Sequence, residues 1–272
     1  MKYAELHCHS CFSLLDGAAL PEVLVARAKE LGLHALAITD HDELGGSVRF
    51  ATAAFEAEIP GIIGAELTVQ IGDGDDELTT HLPLLAETRE GYGNLSTLVT
   101  LGRKQARGSP FVTLDQLASH SRGLFALTGC PRGWVTTLAT AGRMDAACEA
   151  AADLMAIFGR DHIAVECWDH GLPEERETTS RLIEIAHALE IPWVVTNDVH
   201  YARARDRMVH DVLVSLRHKL PLDQMGTRLR PNSEWYLKGA AQIARRSPSP
   251  TSVVFVLTSS SPHCRPSGCH TV

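Results

Sequence analysis

Short apolar runs recur along the chain, and residues with metal-binding side chains follow them. Residues 35–38 precede Asp40 and His41, residues 62–65 precede Glu66, residues 124–127 precede Cys130, and residues 193–195 precede Asp198 and His200. The first run leads into His7, Cys8 and His9. Because alternate side chains of a strand share one face, His7 and His9 should converge while Cys8 points away. The pattern predicts strands whose ends supply ligands to a divalent metal.

Stretches with helical spacing separate these runs. Pro21 is a favourable first residue for a helix, and Gly32 is a stop signal. Strands that alternate with helices favour a parallel sheet joined by helical crossovers. The seven predicted strands cover residues 3–7, 35–39, 61–71, 82–86, 124–128, 163–167 and 193–197. The predicted helices cover residues 21–31, 45–58, 91–106, 113–120, 132–159 with a break at Gly142, 174–191, 204–217 and 233–246.

Residues 61–86 form the one segment that predicts a hairpin. An acidic, glycine-containing stretch at 72–77 separates two strand candidates. It does not match the order of ligands in an EF-hand calcium loop, so we interpret it as a solvated turn. A hairpin centred near Gly74 would place Glu66 and His81 near opposite positions.

Composition is compatible with one barrel-sized domain. The chain has 272 residues, of which 44% are hydrophobic, enough to bury a substantial core. We expect the domain to cover residues 1–246. The net charge of -8 differs from the positive charge that is typical of nucleic-acid-binding proteins. Divalent metals would offset part of this charge locally, so binding of a polyanion would depend on metal.

Cysteine usage and the first residues indicate the cytoplasm. The seven cysteines are an odd number and are scattered, and residues 1–5 lack the apolar region of a signal peptide. Cys8 and Cys11 match C-x-x-C, but no second pair follows at zinc-finger spacing, which disfavours a separate redox or finger role. No run of 18 apolar residues occurs, so no membrane span is expected.

The composition changes abruptly after residue 246. Ser and Pro dominate residues 247–272, which also contain an isolated apolar run, Val253 to Leu257, and no Asp or Glu. A natural disordered tail is one interpretation. A frame-shifted or prematurely ended reading frame explains the isolated apolar run better. In either case we expect this segment to be unstructured.

The candidate ligands combine imidazole and carboxylate groups. A lone His-x-His could equally be strand surface or buried imidazole, and the recurrence of the pattern is what favours metal binding. Such mixed ligands suit Zn, Mn or Fe better than Mg. Asp40 precedes His41, and we interpret it as a carboxylate that orients His41 or as a proton acceptor. Surface or packing roles are favoured over ligation for His34, His120, His162, His187, His210 and His218, whereas His170 could face the cleft.

Several motifs together form a specific constellation. They are His7-x-His9, Ser13-Leu14-Leu15-Asp16-Gly17, Ile38-Thr39-Asp40-His41-Asp42, Gly64-Ala65-Glu66, His81, Thr128-Gly129-Cys130 and Thr196-Asn197-Asp198-Val199-His200-Tyr201. The set resembles the polymerase-and-histidinol-phosphatase (PHP) domain. It is most similar to the PHP domain at the N-terminus of bacterial C-family DNA polymerases, the polymerase III alpha subunits. Residues 165–171 are most similar to the error-prone branch, and the likeness covers roughly residues 3–246.

The resemblance implies an α/β fold, a distorted, TIM-barrel-like (β/α)7 barrel, with up to three divalent metals held by nine residues. Carried onto this chain, the first metal would take His7, His9, Glu66 and Asp198, the second Glu66, His81 and Cys130, and the third Asp16, His41 and His200. All nine positions hold competent ligands, which favours retained chemistry over a vestigial scaffold. The candidate catalytic residues are Asp40, Asp198 and His200.

Three functions remain open at this point. The leading hypothesis is a metal-dependent phosphoesterase, a 3'-5' exonuclease that acts on DNA 3' ends and proofreads beside an error-prone polymerase in replication or repair. Other polymerase or replisome subunits would be its partners. The second is a stand-alone phosphomonoesterase like histidinol phosphatase, and the third is a non-catalytic, metal-stabilised scaffold for a polymerase module. We expect no polymerase activity from this chain. No phosphate-binding G-x-x-x-x-G-K-[ST] loop, dinucleotide G-x-G-x-x-G or hydrolase G-x-S-x-G occurs.

Overall fold

The computed structural model describes residues 2–72, 77–106 and 108–246. The strands of this part are β1 (Ala4–Glu5), β2 (Ala35–His41), β3 (Gly61–Ile71), β4 (Leu78–Ala86), β5 (Val112–Thr113), β6 (Leu124–Leu127), β7 (Ile163–Cys167) and β8 (Trp193–Val195). Its α-helices are α1 (Pro21–Leu31), α2 (Ser47–Glu56), α3 (Arg89–Gln105), α4 (Leu114–Ser119), α5 (Trp134–Thr140), α6 (Met144–Phe158), α7 (Pro173–Leu189), α8 (Arg207–His218) and α9 (Ala240–Ala244).

Local sequence explains several helix ends. Helix α1 begins at Pro21, and its C-cap Gly32 has a left-handed conformation with φ 66°. Helix α4 begins with a capping box in which Thr113 and Gln116 satisfy each other's backbone amides. The break predicted at Gly142 separates α5 from α6, and this glycine has φ 73°.

The strands form one curled sheet in the order β1-β2-β3-β4-β6-β7-β8, and β5 pairs with β3 at the side. All pairs are parallel except those of β4, which runs antiparallel to β3 and to β6. Beyond β1 and β8, a parallel bridge joins Cys8 to Val199. The two edges of the sheet therefore meet where both strands have just ended. The predicted distorted barrel is confirmed.

The hydrophobic core has an inner layer enclosed by the curled sheet and outer layers between the sheet and the helices. One buried cluster takes residues from nearly every strand of the ring: Leu6, Ala37, Leu85, Phe125, Leu127, Ala164 and Val194. Larger clusters pack α1 and α2 against one side, and α3 to α7 against the other. The inner layer fills the barrel, so the carboxyl ends of the strands are left to carry polar side chains.

Four local predictions need correction. Strand β5 was not predicted, and β1 is shorter than the predicted 3–7. The predicted helix 233–246 is helical only over Ala240–Ala244, because residues before it pair with the segment after β8 through a bridge between Tyr201 and Tyr236. The hairpin of β3 and β4 is present, but Glu66 lies opposite Pro83, and His81 opposite Thr68.

Some predictions fall on residues 73–76 and 247–272. The solvated turn near Gly74 and the unstructured tail with its Val253 to Leu257 run lie outside the described residues. Within the described part of the chain, no helix is long and apolar enough to cross a membrane.

Candidate metal centre

His7 and His9 follow β1 and converge as the alternation of a strand predicts. Their Nε2 atoms lie 3.1 Å apart, and both side chains are buried. Cys8 between them points into the apolar core that α1 and α2 cover. The hydrogen bonds of the His9 amide to the Val199 carbonyl and of the Val199 amide to the His7 carbonyl fix this pair beside the segment after β8.

Glu66, in β3, lies at the centre of the imidazole groups. Its carboxylate oxygens are 3.3 Å from His7 Nε2, 2.7 Å from His41 Nδ1 and 3.1 Å from His81 Nδ1. Yet among the described residues neither oxygen has a hydrogen-bond partner, although both are buried. Short distances without hydrogen-bond geometry are typical of donors that point at a shared centre. This donor set therefore fits a bound cation.

His81 and Cys130 extend the group from β4 and from the loop after β6. Cys130 Sγ lies 3.7 Å from His81 Nδ1, and both residues are buried. Gly129, with φ 102°, turns the chain here, and a Cβ at this position would lie 2.6 Å from the His81 carbonyl oxygen. The close approach of the two backbones brings the thiol to the Glu66 side of the cleft.

Asp198 and His200 follow β8, and Asp16 comes from the loop before α1. Asp198 has the left-handed φ of 43°, which Asp tolerates better than most residues. Its Oδ1 lies 3.5 Å from His9 Nε2 and 3.6 Å from His200 Nδ1. His200 Nε2 is 3.4 Å from Asp16 Oδ2, and the same oxygen is 3.1 Å from His41 Nε2. All nine predicted ligands thus lie in one continuous cluster.

The grouping of donors overlaps with the predicted one. Four triads have ligand atoms within 4.8 Å of one another, namely His7-His9-Glu66, His41-Glu66-His81, His9-His41-His200 and Asp16-His200-His210. The first matches most of the first predicted metal. The last includes His210, for which the sequence favoured a surface or packing role.

Hydrogen bonds at Nδ1 direct the Nε2 atoms of three histidines toward the ligand cluster. His7 Nδ1 donates to Glu166 Oε1 at 2.7 Å, His9 Nδ1 to Ser13 Oγ at 3.1 Å, and His200 Nδ1 to the Asp198 carbonyl at 2.8 Å. Such anchoring fixes the ring orientation and the tautomer of a ligand.

Asp40 does not line the cleft. Its carboxylate accepts hydrogen bonds from the amide and hydroxyl groups of Ser10 and Ser13, at 2.7–3.1 Å. Ser13 Oγ, which donates to Asp40, in turn accepts from His9 Nδ1. Of the two predicted roles, these contacts support orientation, exerted through Ser13 on His9, over proton acceptance from a substrate.

Three functional features were missed from the sequence. Glu166, in the segment 165–171, accepts a hydrogen bond from His7 Nδ1 at 2.7 Å, and this role was not predicted. His210 is buried at the cleft. Arginines from distant segments also line the cavity. The signal for Glu166 that the sequence offers is a carboxylate inside the apolar strand candidate 163–167.

His170 does not reach the ligands. Its Nδ1 donates to Glu175 at 2.7 Å, its Nε2 bonds with the Asn197 carbonyl at 3.0 Å, and its ring stacks on Trp235. Both ring nitrogens are occupied, so His170 packs the wall of the barrel.

Electrostatics favour the ligand protonation state at Glu66 and His9 but oppose it at His41. Burial raises the pKa of Glu66, but the imidazoles of His81, His41 and His7 outweigh it and hold that pKa well below its usual range. Burial, reinforced by His41 and His200, lowers the pKa of His9 to about 3. Burial opposes protonation of His41 as well, yet the Glu66 and Asp16 carboxylates raise its pKa to about 10. Metal binding at His41 would therefore release a proton.

The ligands open into a cavity of about 450 Å³. Its wall includes the guanidinium-bearing residues Arg132, Arg217, Arg228 and Arg230 as well as the acidic Glu174 and Glu175. Arg230 Nη2 lies 2.6 Å from His200 Nε2, and Arg217 Nη1 lies 3.4 Å from Asp16 Oδ1. Two cationic groups thus lie beside the outer end of the site, in a chain whose overall charge is negative.

The fold and the donor set define a class of α/β barrel proteins with a candidate metal-binding site at the carboxyl ends of the strands. The chain belongs to the PHP domain family, whose model matches residues 5–170.

Curated relatives include DNA polymerases. The chain is 38% identical over 256 residues to "DNA polymerase III subunit alpha" of Treponema pallidum, covering 91% of this chain and 22% of that protein. It is 38% identical over 250 residues to "Error-prone DNA polymerase" of Cutibacterium acnes, covering 89% and 22%. The protein of that name in Mycolicibacterium paratuberculosis is 37% identical, with 89% and 23% covered. The chain spans less than a quarter of the length of these relatives.

A solved structure shares the fold. A proposed metal-dependent phosphoesterase from Bifidobacterium adolescentis superposes with a TM-score of 0.50 at 18% identity, covering 73% of this chain and 88% of that one.

Proposed function

We propose that this chain is a metal-dependent phosphoesterase domain that hydrolyses phosphodiester bonds at DNA 3' ends. The observation that carries the proposal is the Glu66 carboxylate, which is buried, surrounded by imidazoles and, within the described residues, without a hydrogen-bond partner. Buried charges are normally paired or bound to a metal, and a cation bound here would replace the proton that Glu66 helps His41 to hold. The overlapping donor triads support more than one metal, up to three, with Zn, Mn or Fe suited to the donors.

Metals bound here would supply Lewis-acid stabilisation of phosphate oxygens and activation of water. The chain's own residues would hold them: His7, His9, Glu66 and Asp198 at the inner end, His81 and Cys130 at one side, and Asp16, His41 and His200 at the outer end. Glu166, Ser13 and the Asp198 carbonyl fix the imidazole tautomers. A site with ligands held in this way is organised before substrate binds.

The arginines of the cavity wall support a phosphate-containing substrate. Guanidinium groups bind phosphate oxygens through paired N–H donors, and Arg217 and Arg230 approach the ligand Asp16 and Asp198 carboxylates to 3.4 and 3.8 Å. They are therefore within reach of a phosphate placed over the site. The names of the relatives, DNA polymerases, favour DNA as the source of that phosphate. Exonuclease action and its 3'-5' polarity are our proposal.

Replacing Asp198 by Asn tests the catalytic assignment. Asn keeps the volume and tolerates the left-handed φ, but it removes the charge of a ligand. We expect D198N to lose metal-dependent cleavage of 5'-labelled single-stranded DNA, assayed with added Mn or Zn, while its circular dichroism spectrum stays that of the wild type. Asp153, exposed on α6, provides the matched control D153N, which should cleave normally.

Each alternative gives a different result in the same assays. Unchanged cleavage by D198N would refute the assignment. Hydrolysis of histidinol phosphate without DNA cleavage by the wild type would identify a phosphomonoesterase. Metal-dependent stability with neither activity would identify a scaffold.

A further inference from the structure

His210 lies in α8 (Arg207–His218), outside the strands and loops that supply the predicted ligands. Only 2% of its surface is exposed. Its ring meets the ring of His200 edge to face, with centroids 5.6 Å apart and an interplanar angle of 82°. Helix α8 thus inserts an imidazole into the outer end of the ligand cluster.

The hydrogen bonding of His210 is incomplete. Among the described residues, neither of its ring nitrogens has a hydrogen-bond partner, although both are buried. Nε2 lies 3.5 Å from Asp16 Oδ1, and Nδ1 lies 3.7 Å from Asp211 Oδ1. Buried imidazoles that serve only packing normally satisfy at least one nitrogen, as His170 does here. The Nε2 atom of His210 instead lies near the Asp16 carboxylate, which is also close to His41 and His200.

The spacing suits one metal ion. Two donors that bind the same tetrahedral zinc at ~2.0–2.1 Å lie about 3.3 Å apart. Asp16 is 3.4 Å from His200 Nε2 and 3.5 Å from His210 Nε2, through its two oxygens. Donor atoms of all three residues lie within 4.8 Å of one another. Small movements of these side chains would place all three around one cation.

We propose that His210 is a ligand of the outer metal, together with Asp16 and His200. It is an addition to the nine ligands of the family resemblance. The inference rests on the metal centre of the proposed function but is independent of the substrate.

Metal titration of the variant His210→Gln tests this proposal. Gln approximates the side-chain length but is a poor zinc ligand. The full chain would be stripped with chelator, and Zn²⁺ would be titrated in competition with a chromophoric chelator, with bound metal counted by mass spectrometry. We expect the dissociation constant of the weakest-held zinc to rise tenfold or more, or that ion to be lost, with the tighter sites unchanged.

His218→Gln is the matched control, because His218 lies on the same helix and is exposed. H218Q should bind zinc as the wild type does. His200→Gln and the double variant H200Q/H210Q add a second comparison: if both residues hold one ion, each single variant and the double variant should weaken the same single zinc. Far-UV circular dichroism of the metal-free proteins checks folding, and His210→Asn replaces H210Q if that variant does not fold.

Zinc stoichiometry and affinity of folded H210Q equal to those of H218Q would overturn the proposal. Loss of a different zinc from the one lost in H200Q would overturn it as well. DNA cleavage is not used as a readout. A chain that binds zinc as expected but leaves DNA intact would refute the proposed function and leave the ligand assignment of His210 standing.

Discussion

At the scale of single residues, the site depends on groups that do not themselves reach the cleft. Glu166 is fully buried in β7 and accepts hydrogen bonds from His7 Nδ1 at 2.7 Å and from Thr196 Oγ1 at 2.5 Å. A carboxylate behind a ligand imidazole fixes its tautomer and strengthens its basicity. The same logic links Asp40 through Ser13 to His9.

Glu166→Gln should weaken metal binding without removing a ligand. The amide oxygen can still accept from His7, but the negative charge behind the imidazole is lost. We expect metal affinity to fall by roughly 10–100-fold, measured by zinc titration of the chelator-stripped chain. Glu184, exposed on α7, gives the control E184Q. Equal affinities of E166Q and E184Q would show that Glu166 does not tune the centre.

At the scale of elements, close contacts within the loop between β1 and α1, and between this loop and the segment after β8, position Asp16. A Cβ on Gly17 would lie 1.8 Å from the carbonyl oxygen of Ser10, so no other residue fits without movement of the backbone. The Gly17 amide donates to the Ser13 carbonyl, and the Ala18 amide donates to the His200 carbonyl. The position of Asp16 therefore follows from contacts between two loops.

Gly17→Ala should displace this loop. We expect a loss of unfolding free energy on the order of 1–3 kcal/mol from overpacking, together with weaker binding of the outer metal, both measured on the purified chain. Gly93, exposed in α3, is the control, because a Cβ added there would meet no atom within 4 Å. Gly93→Ala should raise stability by about 0.5–1 kcal/mol through helix propensity. If G17A has the same unfolding free energy and the same affinity for the outer metal as G93A, Gly17 is not needed to position Asp16.

The segment after α8 secures the strand-end loop of β8 through a buried lysine. Lys238 Nζ donates to Asn197 Oδ1 at 2.7 Å and to the Glu234 carbonyl at 2.5 Å, and Asn197 Nδ2 donates to the carbonyls of Glu234 and Tyr236. Asn197 directly precedes the predicted ligand Asp198. Burial lowers the pKa of Lys238 to about 8, although Glu234 opposes this shift.

The lowered pKa of Lys238 predicts that the unfolding free energy rises with pH above pH 8. Below pH 8 Lys238 is protonated in both the folded and the unfolded chain. Between about pH 8 and 10.5 the folded chain has released the proton that the unfolded chain still binds, so the unfolding free energy should rise with pH. The rise should be on the order of 1–3 kcal/mol.

Chemical denaturation of the metal-free chain at several pH values, compared with Lys238→Met, measures this dependence. The variant lacks the titrating group, so the difference between wild type and K238M should grow above pH 8. If the unfolding free energies of wild type and K238M change with pH in parallel above pH 8, the lowered pKa of Lys238 is contradicted.

At the scale of the whole molecule, the candidate metal centre lies where the ends of the curled sheet meet. Its predicted ligands come from the segment after β1, from β2, β3 and β4, and from the loops after β6 and β8. These elements come together only in the folded chain, so metal ions would bind the folded state alone. Metal binding should therefore raise the free energy of unfolding.

Metal removal should therefore lower the melting temperature. A metal at a free concentration 100 times its dissociation constant stabilises the folded state by about 2.7 kcal/mol. We expect addition of EDTA to lower Tm by several degrees in the wild type, measured by thermal denaturation, and by much less in D198N. An unchanged wild-type Tm after verified metal loss would show that the centre does not contribute to stability.

The sequence by itself determined most of the strands and the identity of the residues around the site. Alternation places His7 and His9 on one face and Cys8 in the core, because side-chain direction in a strand depends only on local backbone geometry. Glu66 follows an apolar run within one strand candidate, and Asp198 follows another strand. Helix signals such as Pro21 and Gly32 are equally local. The ligand roles drawn from the family resemblance stay predictions, although the structure brings all nine residues together.

Only the tertiary structure decided which atoms meet. The pairing of Glu66 with Pro83 depends on the register of the hairpin. Residues 233–239 do not form the predicted helix, because they contact the segment after β8. Neither Glu166 behind His7 nor His210 beside Asp16 could be assigned from spacing, since 159 and 194 residues separate the partners. Burial and hydrogen-bond partnership between such distant residues arise when the sheet curls and α8 packs onto its edge, and no local pattern encodes them.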